Sequence, residues 1–205
     1  MNTTYIELDK KTMATYKYAL ANLETQITIL IDEFKLSKNF NPVEHIKSRI
    51  KSPESIIKKL INKGYEVNQE NIKKHIHDIV GLRIVCSFLT DVYDIVSMIE
   101  KNEYIKIKER KDYISNPKSS GYISYHLIVL VPVYLSEKTE YIEAEIQIRT
   151  VAMDFWASLE HKIGYKFQDQ IPEELKVRMK SYAEDIKELD KKMLDINYIV
   201  NKYKN

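Results

Sequence analysis

Apolar residues along this chain recur with two different periods. Met13, Tyr16, Leu20, Leu23, Ile27, Leu30 and Phe34 follow one another at alternating steps of three and four, the heptad stripe of a helix over about residues 5–37. Lys38-Asn39-Phe40-Asn41-Pro42 ends it, because Pro42 biases Asn41 away from helix. A second helical region follows, with a start signal at Ser52-Pro53-Glu54 and a stop at Gly64. Residues His75–Phe88 turn into a near-continuous apolar strand, a run that predicts burial on both faces. Val92, Ile95, Val96 and Ile99 mark a short amphipathic helix, Asp91–Lys101, before a charged strand, Tyr104–Glu109. Ser124–Leu135 reads as a strand joined by the turn Ser136-Glu137-Lys138-Thr139 to a second, so the two predict an antiparallel hairpin. A helix over Val151 to about Tyr165, a linker over Gln168–Pro172 and a last helix over about 172–203 complete the chain. The last helix carries Leu175, Met179, Tyr182, Ile186, Leu189, Met193, Ile196 and Val200 in heptad spacing.

The second hairpin strand has the most informative alternation. Ile142, Ala144, Ile146 and Ile148 form one face, and Tyr141, Glu143, Glu145, Gln147 and Arg149 form the other. A row of two carboxylates, an amide and a guanidinium is costly beside a core unless charged groups sit against it. On this stretch alone an edge strand with a solvated polar face is the simpler reading, and Glu143 reads as solvated.

With 205 residues the chain has the length of one ordinary domain. Charged residues make up 30% but the net charge is only +2, so any basic recognition surface must be local. The single cysteine, Cys86, excludes an intramolecular disulfide, and its neighbours Leu82, Ile84 and Phe88 predict a packed thiol. No signal peptide or membrane-length apolar run is evident, so a cytoplasmic protein is expected.

Local chemistry then adds detail. Arg49 and Lys51 precede the helix start at Ser52, and Ser55 and Lys59 share a face one turn on. Cations, a hydroxyl and unpaired helix N–H groups together make a cradle for polyphosphate. Asp78 opens the apolar strand and Arg83 lies inside it, where a lone arginine calls for an acid or a phosphate. The loop Arg110–Tyr122 is rich in cations and broken by Pro117 and Gly121. His126 falls on the same side of its strand as Tyr122 and Ser124. His75, His77 and Asp78 have the residue types of a metal site, although solvent-facing histidines before a strand are commoner.

The order of these parts is specific. Arg49-x-Lys51-x3-Ser55-x3-Lys59, Asp78-Ile79-Val80-Gly81-Leu82-Arg83, Lys111-Asp112-Tyr113-Ile114-x2-Pro117-Lys118-x2-Gly121-Tyr122-x-Ser124-x-His126 and Glu145-Ile146-Gln147-Ile148-Arg149-Thr150 resemble the synthetase domain of the RelA/SpoT alarmone enzymes. Ala152–His161 extends the likeness, which covers about residues 40–167 and is strongest to the short, stand-alone RelQ-type synthetases. The resemblance implies an α+β fold, a nucleotidyltransferase-like mixed β-sheet flanked by helices, with the long terminal helices attached to one domain spanning residues 1–205. It implies Mg²⁺-dependent transfer of pyrophosphate from ATP to the 3′-hydroxyl of GDP or GTP, with GMP a further acceptor, in the stringent response. Asp78 and Glu145 would be catalytic and ligate the metal. Arg49, Lys51, Ser55, Lys59 and Arg83 would hold ATP, and Lys111, Lys118, Tyr122, His126 and Gln147 the acceptor. Trp156 and Arg149 read as architectural. The resemblance further implies a homotetramer, with an allosteric alarmone or single-stranded RNA as additional partners and no membrane. Glu109-Arg110-Lys111-Asp112, of mixed charge, leaves the acceptor preference open, and Asp154 stands where relatives can carry a neutral amide. Two alternatives are a metal-dependent phosphohydrolase and a catalytically weak nucleotide- or RNA-binding regulatory module.

Overall fold

A computed structural model describes residues 10–167 and 171–204. In chain order the elements are α1 (Lys10–Lys38), β1 (Val43–Ile50), α2 (Pro53–Asn62), α3 (Gln69–His75), β2 (Val80–Cys86), α4 (Leu89–Lys101), β3 (Lys106–Asp112), β4 (Tyr125–Tyr134), β5 (Thr139–Thr150), α5 (Val151–Lys166) and α6 (Glu173–Lys204). The five strands form one mixed sheet in the order β1-β2-β5-β4-β3, in which β2 and β5 are parallel and the other pairs antiparallel.

One face of the sheet supplies the core. Val80, Leu82, Ile84 and Cys86 of β2, Leu127 and Val129 of β4 and Ala144, Ile146 and Ile148 of β5 are buried against Tyr16, Leu23 and Ile27 of α1 and Val92, Ile95 and Ile99 of α4. Each fully buried aliphatic side chain among them contributes on the order of 1.5–3 kcal/mol. The stripe on α1 is thus spent on the sheet. Burial pushes the Cys86 thiol pKa up, so it behaves as a small core residue rather than a nucleophile.

The opposite face stays open, and several sequence expectations change because of it. The segment before Ser52, not recognised as a strand, is β1, and its Lys47 and Arg49 follow a two-residue period. The run after His75 is strand only from Val80, and a short helix, α3, precedes it. Nor is β2 buried on both faces: Gly81 and Arg83 are partly exposed on the open side. β3 extends to Asp112, which places Lys111 in a strand rather than a loop. β5, far from being an edge, lies between β2 and β4. The β4–β5 hairpin forms as expected. Of the predicted linker, residues 168–170 lie outside the described residues.

None of the heptad residues of α6 is buried: Leu175, Met179 and Ile186 are partly exposed and Tyr182, Leu189, Met193, Ile196 and Val200 exposed, while the buried positions, Ala183, Asp190 and Leu194, lie beside the predicted stripe. α6 packs chiefly on α5, where Trp156 and Ala157 meet Ala183. No helix among the described residues is long and apolar enough to cross a membrane.

Candidate active site

Strand register builds the site. Lys47 lies opposite Arg83, Arg83 opposite Gln147, and Gln147 opposite His126, which in turn lies opposite Lys111. One step along, Arg49, Gly81 and Glu145 form a second row. Cross-strand partners share a face, so eight positions drawn from five strands converge without any long-range coincidence. Lys47, Arg49, Asp78, Arg83, Glu145 and Gln147 line a cleft of about 250 Å³ on this face.

At one end the start of α2 approaches Asp78. The Ser52 hydroxyl caps α2 by accepting from the Ser55 backbone N–H at 3.3 Å, and Pro53 takes the first turn. Lys59 donates to Asp78 Oδ1 at 2.9 Å, and the Lys51 ammonium contacts Oδ2 more closely. Burial alone would raise the Asp78 pKa, but the hydrogen bonds and charges of Lys51 and Lys59 outweigh it and hold the group down at about 2. Burial also lowers the Lys51 pKa, against the pull of Asp78.

At the centre, Glu145 accepts at both oxygens. Gln147 Nε2 donates to Oε2 at 2.7 Å, and His126 Nδ1 lies 3.2 Å from Oε1. The Tyr122 hydroxyl accepts from Arg149 Nη2 at 2.8 Å and is 2.9 Å from His126 Nε2. Ionised Glu145 can only accept, so Nδ1 carries the single N–H of the neutral ring, and Nε2 accepts the Tyr122 hydroxyl proton. Desolvation would raise the Glu145 pKa, but hydrogen bonds from His126 and Gln147 bring it to about 2. Burial lowers the pKa of His126, in keeping with a neutral ring. Arg149, 2% exposed, also donates to Gln147 Oε1 at 2.5 Å and pairs with Asp154 at 3.5 Å. Arg83 reaches the same Asp154 oxygen at 3.1 Å.

At the far end Lys118 stands over two rings, 4.6 Å from the Tyr113 centroid and 4.7 Å from that of Tyr122. Lys111 pairs with Glu109 at 3.1 Å. Gly121 adopts φ +87°, and an added Cβ would lie 2.6 Å from the Ala183 Cβ of α6. The loop therefore rests directly on the C-terminal helix, and only glycine fits there.

Of the twelve sequence-selected residues, Arg49, Asp78, Arg83, Glu145 and Gln147 line the cleft. Lys51 and Lys59 join it through Asp78, His126 through Glu145, Tyr122 through His126 and Lys118 through the Tyr122 ring. Lys111 lies beside His126 on the next strand and pairs with Glu109, and Ser55 contacts Ser52 at the start of α2. Sequence reasoning missed Lys47, on the stretch before Ser52 that it assigned to no strand. It missed Tyr113, whose ring packs edge-on against Tyr122 and His126, and it treated Arg149 as architectural although it anchors Tyr122 and Gln147. Glu143 is not solvated: it is held by His77 and Lys108. The sequence carried that signal only as a fourth member of the polar face of β5. Among the described residues no group of three or more His, Cys, Asp or Glu is placed to hold a metal. Two ionised carboxylates facing one cleft do fit a hard divalent cation that completes its shell with water and phosphate oxygens.

A five-stranded mixed sheet with a charged open face and this ordered set of residues defines a member of the RelA/SpoT family. The family profile described as "Region found in RelA / SpoT proteins" matches residues 48–170, and the chain belongs to that family. GTP pyrophosphokinase YwaC of Bacillus subtilis is 49% identical over 193 residues, covering 94% of this chain and 92% of that protein. GTP pyrophosphokinase YjbM of the same organism is 33% identical over 184 residues, covering 90% and 86%. Among solved structures, small alarmone synthetase 2 from Bacillus subtilis superposes with a TM-score of 0.82 at 48% identity, over 92% of this chain and 97% of that one. Small alarmone synthetase 1 from the same organism, bound to its product pppGpp, superposes with a TM-score of 0.85 at 32% identity, over 93% and 97%.

Proposed function

We infer that this protein is a GTP pyrophosphokinase that moves pyrophosphate from ATP to the 3′-hydroxyl of GDP or GTP, releasing AMP and making alarmones of the (p)ppGpp type. The observation that carries the reading is the pair Asp78 and Glu145. Both are ionised and share one cleft, the first beside a cationic helix start and the second held by the donors His126 and Gln147. Such transfer is mostly positioning and charge neutralisation, which this face is built to provide. Mg²⁺, held by Asp78 and Glu145, would neutralise the phosphates and acidify the 3′-hydroxyl. The lysines now on Asp78 would then be released to the phosphates.

Arg49, Lys51, Ser55, Lys59 and Arg83 bind ATP in this reading. Lys111, Lys118 and His126 meet the acceptor, and Gln147 orients its ribose. Tyr122 stacks on guanine once Lys118 leaves its ring for the acceptor's phosphates, so phosphate binding opens the base site. A carboxylate with a pKa of about 2 is a weak base at neutral pH, so the role of Glu145 would be to hold the metal that acidifies the 3′-hydroxyl rather than to store its proton. A cytoplasmic homo-oligomer is the expected form. The regulatory-module alternative would be expected to lack one of the two acids, and both are present.

The test is to mix protein, Mg²⁺ and ATP with GMP, GDP or GTP separately and to resolve products by anion exchange. AMP appearing together with a 3′-pyrophosphorylated guanine nucleotide supports the reading and ranks the acceptors. No AMP from any acceptor would overturn it.

A further inference from the structure

One carboxylate beside the cleft serves two guanidinium groups that face different nucleotides in the reading above. Asp154, in the first turn of α5, presents the same oxygen, Oδ1, to Arg83 Nη1 at 3.1 Å and to Arg149 Nη1 at 3.5 Å. Among the described residues neither arginine pairs with any other acid, and the buried Nε of each has no hydrogen-bond partner. Arg149 turns its other terminal nitrogen, Nη2, to the Tyr122 hydroxyl at 2.8 Å and to Gln147 Oε1 at 2.5 Å. Arg83 belongs to the donor's residues, whereas Tyr122 and Gln147 belong to the acceptor's.

Two like charges therefore meet over one acid in a largely buried place. Burial lowers the Arg149 pKa, and the charge of Arg83 lowers it further against the pull of Asp154. An anionic donor on Arg83 would give that guanidinium an anion of its own, and the Asp154 charge would then fall to Arg149 alone. Held harder through Nη1, Arg149 has its plane fixed, and with it the Tyr122 and Gln147 groups that rest on Nη2. Ordering these groups before the acceptor arrives removes part of the cost of binding it.

We propose that Asp154 is a positioning residue that couples the two nucleotide sites, passing from Arg83 to Arg149 when the donor binds. The assignment of a nucleotide to each arginine rests on the pyrophosphate-transfer reading above. The two distances describe the uncoupled state: the carboxylate lies nearer to Arg83, so Arg149 has the weaker contact until the donor takes its rival away. Coupling of this kind is reciprocal, and the acceptor strengthens donor binding by the same factor. Charge is essential to it. The neutral amide that relatives can carry at this position accepts a hydrogen bond but attracts a guanidinium far less.

The test reads binding without turnover. GDP is titrated calorimetrically with Mg²⁺, alone and with saturating α,β-methylene-ATP, whose carbon bridge cannot release AMP. In the wild type the analogue should tighten GDP binding about fivefold, the lower end of coupling between sites. Asp154→Asn should bring that ratio to about one and change binding of GDP alone by less than about twofold, since the free protein gives Arg149 only the longer contact. Asp154→Glu, which keeps the charge, should restore most of the ratio. Arg83→Met leaves Asp154 to Arg149 with no donor present, so it should by itself tighten GDP about fivefold. An analogue that leaves wild-type GDP affinity unchanged overturns the assignment. So does a ratio that persists in Asp154→Asn, or an equal loss of both nucleotides in that variant with intact circular dichroism. If Asp154→Asn does not fold, Arg83→Met decides alone, and unchanged or weaker GDP binding there overturns the assignment. Failure of the transfer reading shows separately, as no AMP from ATP and any acceptor in the wild type, and leaves the ratio measurable.

Discussion

Glu145 spends both carboxylate oxygens on His126 and Gln147, and this decides how it can act. Glu145→Gln keeps the shape but removes the charge with which the residue would hold a divalent metal. Pyrophosphate transfer should fall by roughly 10²–10³-fold, the range for a lost electrostatic contribution to the transition state, with nucleotide binding changed much less. AMP release at saturating nucleotide is the readout, and wild-type turnover in the variant would remove Glu145 from the chemistry. Asp78 makes a separate prediction about stability. Its pKa falls from 3.8 to about 2 on folding, so the stabilisation is complete above the unfolded value and is lost as pH falls from about 4 to about 2. A shift of that size corresponds to roughly 2 kcal/mol. Urea melts of wild type and Asp78→Asn should therefore converge as pH drops through that window, because only the wild type has the interaction to lose. Parallel curves would show that the lysine–aspartate cluster contributes nothing to the fold.

At the scale of elements, two glycines with positive φ separate backbone strain from crowding. Gly64, at φ +75°, ends α2 with nothing within 4 Å of a built Cβ, whereas Gly121, at φ +87°, faces the Ala183 Cβ at 2.6 Å. Gly64→Ala should cost about 1 kcal/mol through the backbone alone. Gly121→Ala should cost more and should also raise the acceptor KM, since Tyr122 follows directly and the loop must lift from α6. Adding Ala183→Gly should restore part of both losses, and additive effects in that double variant would argue against direct contact. This coupling between loop and helix was not legible in the sequence, where Gly121 reads only as a breaker. What was legible follows from period. The α1 stripe, the α2 cap and the β4–β5 hairpin rest on local rules, and their side chains land where those rules put them. β1 failed because Lys47 and Arg49 alternate over too short a run to outweigh the helical signals after it. β5 looked like an edge because its polar face is balanced by residues from β2, β3 and β4, and cross-sheet partners leave no mark in local sequence. Glu143 is the sharpest case, for its partners His77 and Lys108 come from either side of it and lie far away in the chain.

Across the whole molecule, the inner side of α6 is already committed. Ala183 supports the Gly121 loop, and buried Asp190 accepts from the Thr150 hydroxyl at 2.8 Å, the same residue that caps α5. The outer side is apolar and uncovered within one chain, with Leu189, Met193, Ile196 and Val200 each between 42% and 55% exposed. Side chains at that spacing along a 32-residue helix form a seam suited to another helix, and a second copy of the chain offers the same seam by symmetry. Sedimentation at micromolar concentration should therefore give a mass above 24.2 kDa. Leu189→Glu combined with Ile196→Glu should shift the protein to monomer and leave the melting temperature nearly unchanged at low concentration, because neither side chain contributes to the core of its own chain. A wild-type monomer, or a variant that stays associated, would assign the seam no role in assembly. Loss of the fold in that variant would instead show that the outer face of α6 is needed within the single chain.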